Sequence, residues 1–119
     1  DKAAADSLVE LLAVQGGVQV VGTAHSETAA ADWLLQRSEP SDLLITDLML
    51  LPGGSGFGII SHARNLGTFR HIAVFSNFVT PAVAQRCKSL GADAAFFMSE
   101  LEGLLDYVRS LRDTKQAQA

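Results

Sequence analysis

Short apolar runs alternating with helical patterns constrain this chain most, and the two strongest runs each end in polar residues. Leu43-Leu44-Ile45-Thr46 leads into Asp47, and the loop behind it is Leu50-Leu51-Pro52-Gly53-Gly54-Ser55-Gly56. Ile72-Ala73-Val74-Phe75 leads in the same way into Ser76-Asn77. Near-continuous apolar strands are buried on both faces, as the strands of a parallel sheet are. In open parallel sheets, ligands and chemistry gather beyond the carboxyl ends of the strands. The spacing therefore sets an acid and a hydroxyl on one functional edge.

The rest of the pattern alternates around these runs. Leu8, Leu11 and Leu12 have helical spacing, so 2–14 reads as a helix that Gly16-Gly17 stops. Val18-Gln19-Val20-Val21 is short and rich in valine, and reads as a strand ending at Gly22. Ser26 is placed to cap a helix over 27–37, with Ala30, Trp33 and Leu34 on one face, and Pro40 breaks the chain after it. Phe57, Ile60 and Ala63/Arg64 give a helix over 57–65. Thr80-Pro81 marks a further helix start, and Gly91 closes that helix after Leu90. Ala94-Ala95-Phe96-Phe97 is the last strand. Ser99 and Glu102 form a capping box for a final helix to about Arg112, with a polar tail from Asp113.

A helix followed by four strand–helix units predicts an α/β doubly wound parallel sheet with right-handed crossovers. Such a sheet normally begins with a strand, whereas this sequence begins with a helix. The expected organisation is a single domain over all 119 residues.

Composition narrows the function classes. The net charge is −4 and the nine Lys and Arg residues are spread thinly, which argues against a nucleic-acid interface. No apolar run approaches the ~18 residues of a membrane span, and no signal-peptide pattern is visible. A single cysteine, Cys87, excludes an internal disulfide and a cysteine-rich zinc site, and a cytoplasmic setting follows as the simplest expectation. His25, His62 and His71 are far apart without ligand spacing, and read as surface or loop residues. Gly53-Gly54-Ser55-Gly56 lacks the lysine of a phosphate-binding loop. No complete nucleophile, base and oxyanion set is present, so an enzyme is not expected.

Together, Asp47-Leu48-Met49-Leu50 with its glycine loop, Val74-Phe75-Ser76-Asn77, and the segment Cys87 to Phe97 resemble the receiver domains of two-component response regulators. Val20-Val21-Gly22 followed by Ala24-His25-Ser26 resembles that family's second strand and loop. The resemblance spans nearly the whole chain. It implies a flavodoxin-like, CheY-like fold with strand order 2-1-3-4-5, whose first strand is missing from this chain. In the family that strand ends in an acid pair binding Mg²⁺, and Asp1 falls about where the pair's second member would be.

The resemblance also assigns roles. Asp47 matches the phospho-accepting aspartate, Ser76 the hydroxyl that contacts the phosphoryl group, and Met49 the residue whose backbone carbonyl reaches the metal. A carboxylate can attack a phosphoryl donor when a metal neutralises the incoming charge.

Several positions depart from the family. Met98 occupies the lysine position at the end of the last strand when aligned without a gap from Gly91, or Ser99 does if a gap is allowed. Neither carries charge, and Lys88 lies in the preceding helix. The loop after Asp47 holds one residue more, near Leu50-Leu51, and the aromatic switch position falls on Ala95. These departures favour a pseudo-receiver, impaired at Asp47 and acting through protein–protein contacts. The alternative is a Mg²⁺-dependent receiver switched by a histidine kinase. The expected partners are a histidine kinase, a phosphotransfer protein or another signalling protein, without nucleic acid or membrane. Leu101, Leu104, Leu105 and Val108 form an apolar stripe that serves either a homodimer or, more simply, the core.

Overall fold

A computed structural model describes residues 2–37, 41–50 and 54–118 of the protein. Its elements are α1 (Lys2–Val14), α2 (Glu27–Gln36), β1 (Ser41–Thr46), β2 (Met49–Leu50), β3 (Gly54–Ser55), α3 (Gly56–Leu66), β4 (Phe69–Ser76), α4 (Pro81–Leu90), β5 (Ala94–Phe97) and α5 (Leu101–Gln118). They fall into two compact units, one made of the chain up to Thr23 with that from Glu100 onward, the other of Ala24–Ser99.

The second unit holds a three-stranded parallel sheet in the order β1-β4-β5. Thr46 pairs with Val74, and Ser76 with Phe97, so the three strands finish at one edge. Ile72, Ala73 and Val74 of the central strand are wholly buried. Ile72 and Val74 join Leu34 of α2, Ile60 and Ala63 of α3, and Cys87 of α4 in one core. Trp33 stacks on Phe69 at 6.2 Å between ring centroids, tying α2 to the start of β4. The alternation predicts a parallel sheet, and these three strands build the part of the flavodoxin-like fold that the resemblance implies for this unit.

Local signals act as the sequence implies. The Ser26 hydroxyl accepts the Ala29 N–H at 3.0 Å, and the Thr80 hydroxyl accepts that of Val83 at 3.2 Å. Gly91 closes α4 with φ +122, a backbone state that costs a side chain energy. Beyond it, Asp93 fastens β5 to β4. The Ile72 N–H donates to Asp93 Oδ2 at 2.8 Å, and the Asp93 N–H donates to the Ile72 carbonyl at 2.7 Å. Arg64 completes the clasp, donating to the Gly91 carbonyl and, at 2.9 Å, to Asp93 Oδ2.

Other expectations are corrected. Val18–Val21 forms no strand. In the order 2-1-3-4-5 its neighbour would be the first strand. No strand precedes it among the described residues, so its backbone has no ladder to join. Pro40 lies outside the described residues. β4 starts at Phe69, three residues before the apolar run that marks it, because β1 offers a ladder back to Ser41. Met98–Glu100 is a 3-10 turn and α5 starts at Leu101, so Ser99 sits inside that turn rather than at a capping box. The last helix runs past Arg112 to Gln118. His62 and His71 lie half-buried in α3 and β4, and only His25 is a loop residue.

In the first unit, Arg109 donates to the Gln15 carbonyl at 3.0 Å and Arg112 to the Gly16 carbonyl at 3.3 Å. These arginines satisfy carbonyls that the end of α1 leaves open. Leu104, Leu105 and Val108 are at most 1% exposed, so most of the stripe on α5 is buried.

Two predictions follow from the packing. Asp93→Ala strands the buried Ile72 N–H and lowers unfolding free energy in urea by about 1–3 kcal/mol, whereas Asp93→Asn, which keeps an acceptor, costs less. Burial raises the Cys87 thiol pKa above its ordinary value of 9.0. The folded thiol stays neutral where the unfolded one ionises. Its contribution to stability is therefore full below that value and declines as pH rises through it. Cys87 resists alkylation in native buffer at pH 8 and reacts on unfolding, a contrast read by mass spectrometry.

Candidate functional site at the carboxyl edge of the sheet

Asp47 follows the last residue of β1, Ser76 ends β4, and Met98 follows the last residue of β5. Because β4 lies between β1 and β5, the three stand on adjacent strands at one edge, with neighbouring strands ~4.8 Å apart. The structure thus brings together the three residues singled out around the candidate phosphoryl position. Asp1 lies outside the described residues.

Asp47 is half-buried, and its Oδ1 accepts the Leu48 N–H at 2.6 Å, turning one oxygen toward the loop backbone. The Thr46 hydroxyl donates to the Asp47 carbonyl at 2.9 Å. Gly56 closes over the same carbonyl, where a Cβ would collide with it, so only glycine lets the loop return here. The Gly56 N–H donates to the Leu48 carbonyl at 3.1 Å.

Between these fixed ends, the longer loop folds as a small antiparallel ladder, Met49 opposite Ser55 and Leu50 opposite Gly54. The Gly56-to-Leu48 bond makes Met49–Ser55 a non-hydrogen-bonded pair, so the Met49 carbonyl points away from β3. Sequence reasoning missed this ladder, since two-residue strands carry no periodic signal.

Ser76 is fully buried, and its hydroxyl accepts the Phe78 N–H at 3.2 Å. Phe78 itself is 52% exposed. Met98 is half-buried and Phe97 is exposed, so the end of β5 presents no charge to the edge. Ala95 packs against the core. Lys88 is exposed on α4.

The oxygen donors described here, one carboxylate and one backbone carbonyl, are of the hard class that Mg²⁺ selects. Mg²⁺ is commonly held by one or two carboxylates with waters and substrate phosphate, so these groups suit it as part of a shell. Among the described residues no cluster of three or more His, Cys, Asp or Glu forms a metal site.

No family model matches the chain, and no curated protein matches it. Solved structures do resemble it. A signal receiver domain of a DNA-binding response regulator from Colwellia psychrerythraea 34H superposes with a TM-score of 0.80 at 23% identity, over 95% of this chain and 92% of that one. A response regulator protein from Burkholderia pseudomallei, solved with a phosphorylated aspartic acid, calcium ion and citrate, gives 0.72 at 21%, over 99% and 69%. The phosphorylated cyanobacterial phytochrome response regulator RcpA gives 0.74 at 20%, over 100% and 90%. The fold of the chain is therefore that of response regulator receiver domains. Among the described residues no helix is long and apolar enough to cross a membrane.

Gly56→Ala forces the loop away from Asp47. It lowers stability by about 1–3 kcal/mol, and its NMR amide shifts concentrate on Asp47 and Leu48 rather than on β4.

Proposed function

We propose that the protein is a cytoplasmic receiver-like module of two-component signalling, impaired in phospho-acceptance at Asp47, that works through protein–protein contacts. Its partners are signalling proteins such as a histidine kinase or a phosphotransfer protein. The observation that carries this reading is the uncharged carboxyl end of β5, where Met98 follows the strand paired with that of Ser76, at the position for which the resemblance implies a lysine. A charge-assisted contact to a phosphoryl oxygen is of the strongest hydrogen-bonding kind, and methionine offers none.

Without it, a dianion on Asp47 depends on backbone amides, the Ser76 hydroxyl and a metal. Asp47, the Met49 carbonyl and Asp1, the further ligand that the resemblance implies, would hold Mg²⁺, which would neutralise phosphoryl charge. The outward Met49 carbonyl and the half-buried Asp47 favour a second reading, a phospho-accepting receiver with a weak site.

Titration with Mg²⁺ and beryllofluoride, followed by amide NMR beside an Asp47→Asn control, separates the two. The impaired reading expects no saturable Asp47-dependent shifts at millimolar concentrations in the folded protein. Saturable shifts that reach Ser76 and β5 would overturn it in favour of the phospho-accepting receiver.

A further inference from the structure

Glu27 opens α2, yet the start of that helix is already capped without it. The Ser26 hydroxyl accepts the Ala29 N–H at 3.0 Å, and the Ser26 carbonyl accepts that of Ala30 at 3.0 Å. The Glu27 carboxylate reaches across to α3. A Cβ added to Gly58 would stand 3.2 Å from Glu27 Oε1 and 3.4 Å from its Oε2. Gly58 lies in the first turn of α3, where glycine is less favourable than alanine. Its bare Cα leaves the space beside which the half-buried carboxylate sits. The first four N–H groups of a helix have no carbonyl partner within it. That of Gly56 finds one outside, the Leu48 carbonyl at 3.1 Å. Those of Phe57 and Gly58 belong to the turn that Glu27 lies against.

We propose that Glu27 is a positioning residue for the Asp47 loop: its carboxylate caps α3 from the neighbouring helix and so holds Gly56 against the Asp47 carbonyl. An ionised carboxylate is an acceptor with two oxygens, enough for both the Phe57 and the Gly58 N–H. Negative charge at a helix N-terminus meets the positive end of the helix dipole, and N–H bonds to a carboxylate are stronger than neutral ones. The placement of this turn matters to the edge, because Gly56 closes on the Asp47 carbonyl with no room for a side chain. Phe57, the next residue, is packed against the core, and the Arg86 guanidinium lies 5.2 Å from its ring centroid. Packing and Arg86 thus hold the turn through a side chain, and Glu27 holds it through the backbone. The two glycines have separate tasks: Gly56 lets the loop return to Asp47, and Gly58 admits the carboxylate. This role goes beyond the receiver-like reading and is independent of whether Asp47 accepts a phosphoryl group.

The test uses no phosphoryl group. Amide hydrogen exchange and proton shifts are compared in the native chain, Glu27→Ala and Glu27→Gln, each checked for native amide dispersion. In Glu27→Ala the Phe57 and Gly58 amides are expected to exchange at least about tenfold faster and to shift upfield. The Leu48 amide shifts with them, while Ala29 and Ile72 hold their native rates. Glu27→Gln keeps an acceptor oxygen without the charge, so it recovers part of the protection at Phe57 and Gly58. Unchanged exchange at those two amides in folded Glu27→Ala overturns the proposal. So does a change confined to the amides of 28–30, which would place the role of Glu27 within its own helix, or an equal loss throughout α3 and β4. If Glu27→Ala does not fold, Glu27→Gln is read alone, with faster exchange and upfield shifts at Phe57 and Gly58 expected and unchanged values there overturning the proposal. Failure of beryllofluoride to bind would bear on the phosphoryl site alone and leave these outcomes unaffected.

Discussion

The parallel pairing of β4 on both its sides is the constraint on which the described sheet depends. A strand so placed must satisfy backbone groups in both directions and bury side chains on both faces, which explains why Ile72, Ala73 and Val74 lie wholly out of solvent. β1 reaches it through the Ser41-to-Thr46 register, and β5 through Ala94 to Phe97. The Asp93 clasp exchanges hydrogen bonds with Ile72 on the line where β5 begins, so the ladder has a fixed starting point. With that register set, the ends of the strands are set too, and the candidate site is a consequence of where they stop.

The edge so formed carries a carboxylate and a hydroxyl on one side and is apolar on the other. Asp47 is locked by a short backbone bond, a threonine hydroxyl and a glycine that closes against its carbonyl. Ser76 is buried and committed to the loop beyond it. The β5 side contributes Met98 and the exposed Phe97, neither of which can neutralise charge.

Much of the fold was legible because its signals are local. Ser26, Thr80-Pro81 and Gly91 mark helix ends through the chemistry of single residues, and all three act as their types imply. The runs at 43–46 and 72–75 are legible because burial on both faces demands apolar residues at every position. Asp47 and Ser76 were legible as candidates because they end those runs. The segment Val18–Val21 misled for a matching reason: valine content reports fitness for a sheet, but a strand also needs a neighbour. Ser99 misled because two cap signals in sequence do not decide between an α-helix and a 3-10 turn.

The sequence by itself determined most of the alternation of elements, most of their boundaries, and the identity of the residues at the strand ends, Met98 among them. These depend on side-chain type and short spacing, which the chain carries with it. The tertiary structure decided the strand order, the absence of a ladder at Val18–Val21, the hairpin within the loop after Asp47, and the burial of most of the α5 stripe. It alone revealed the hydrogen bond from Phe78 to Ser76 and the exposure of that ring. Each of these rests on which surfaces and backbone groups meet after the chain has folded, and residue type alone does not specify such meetings.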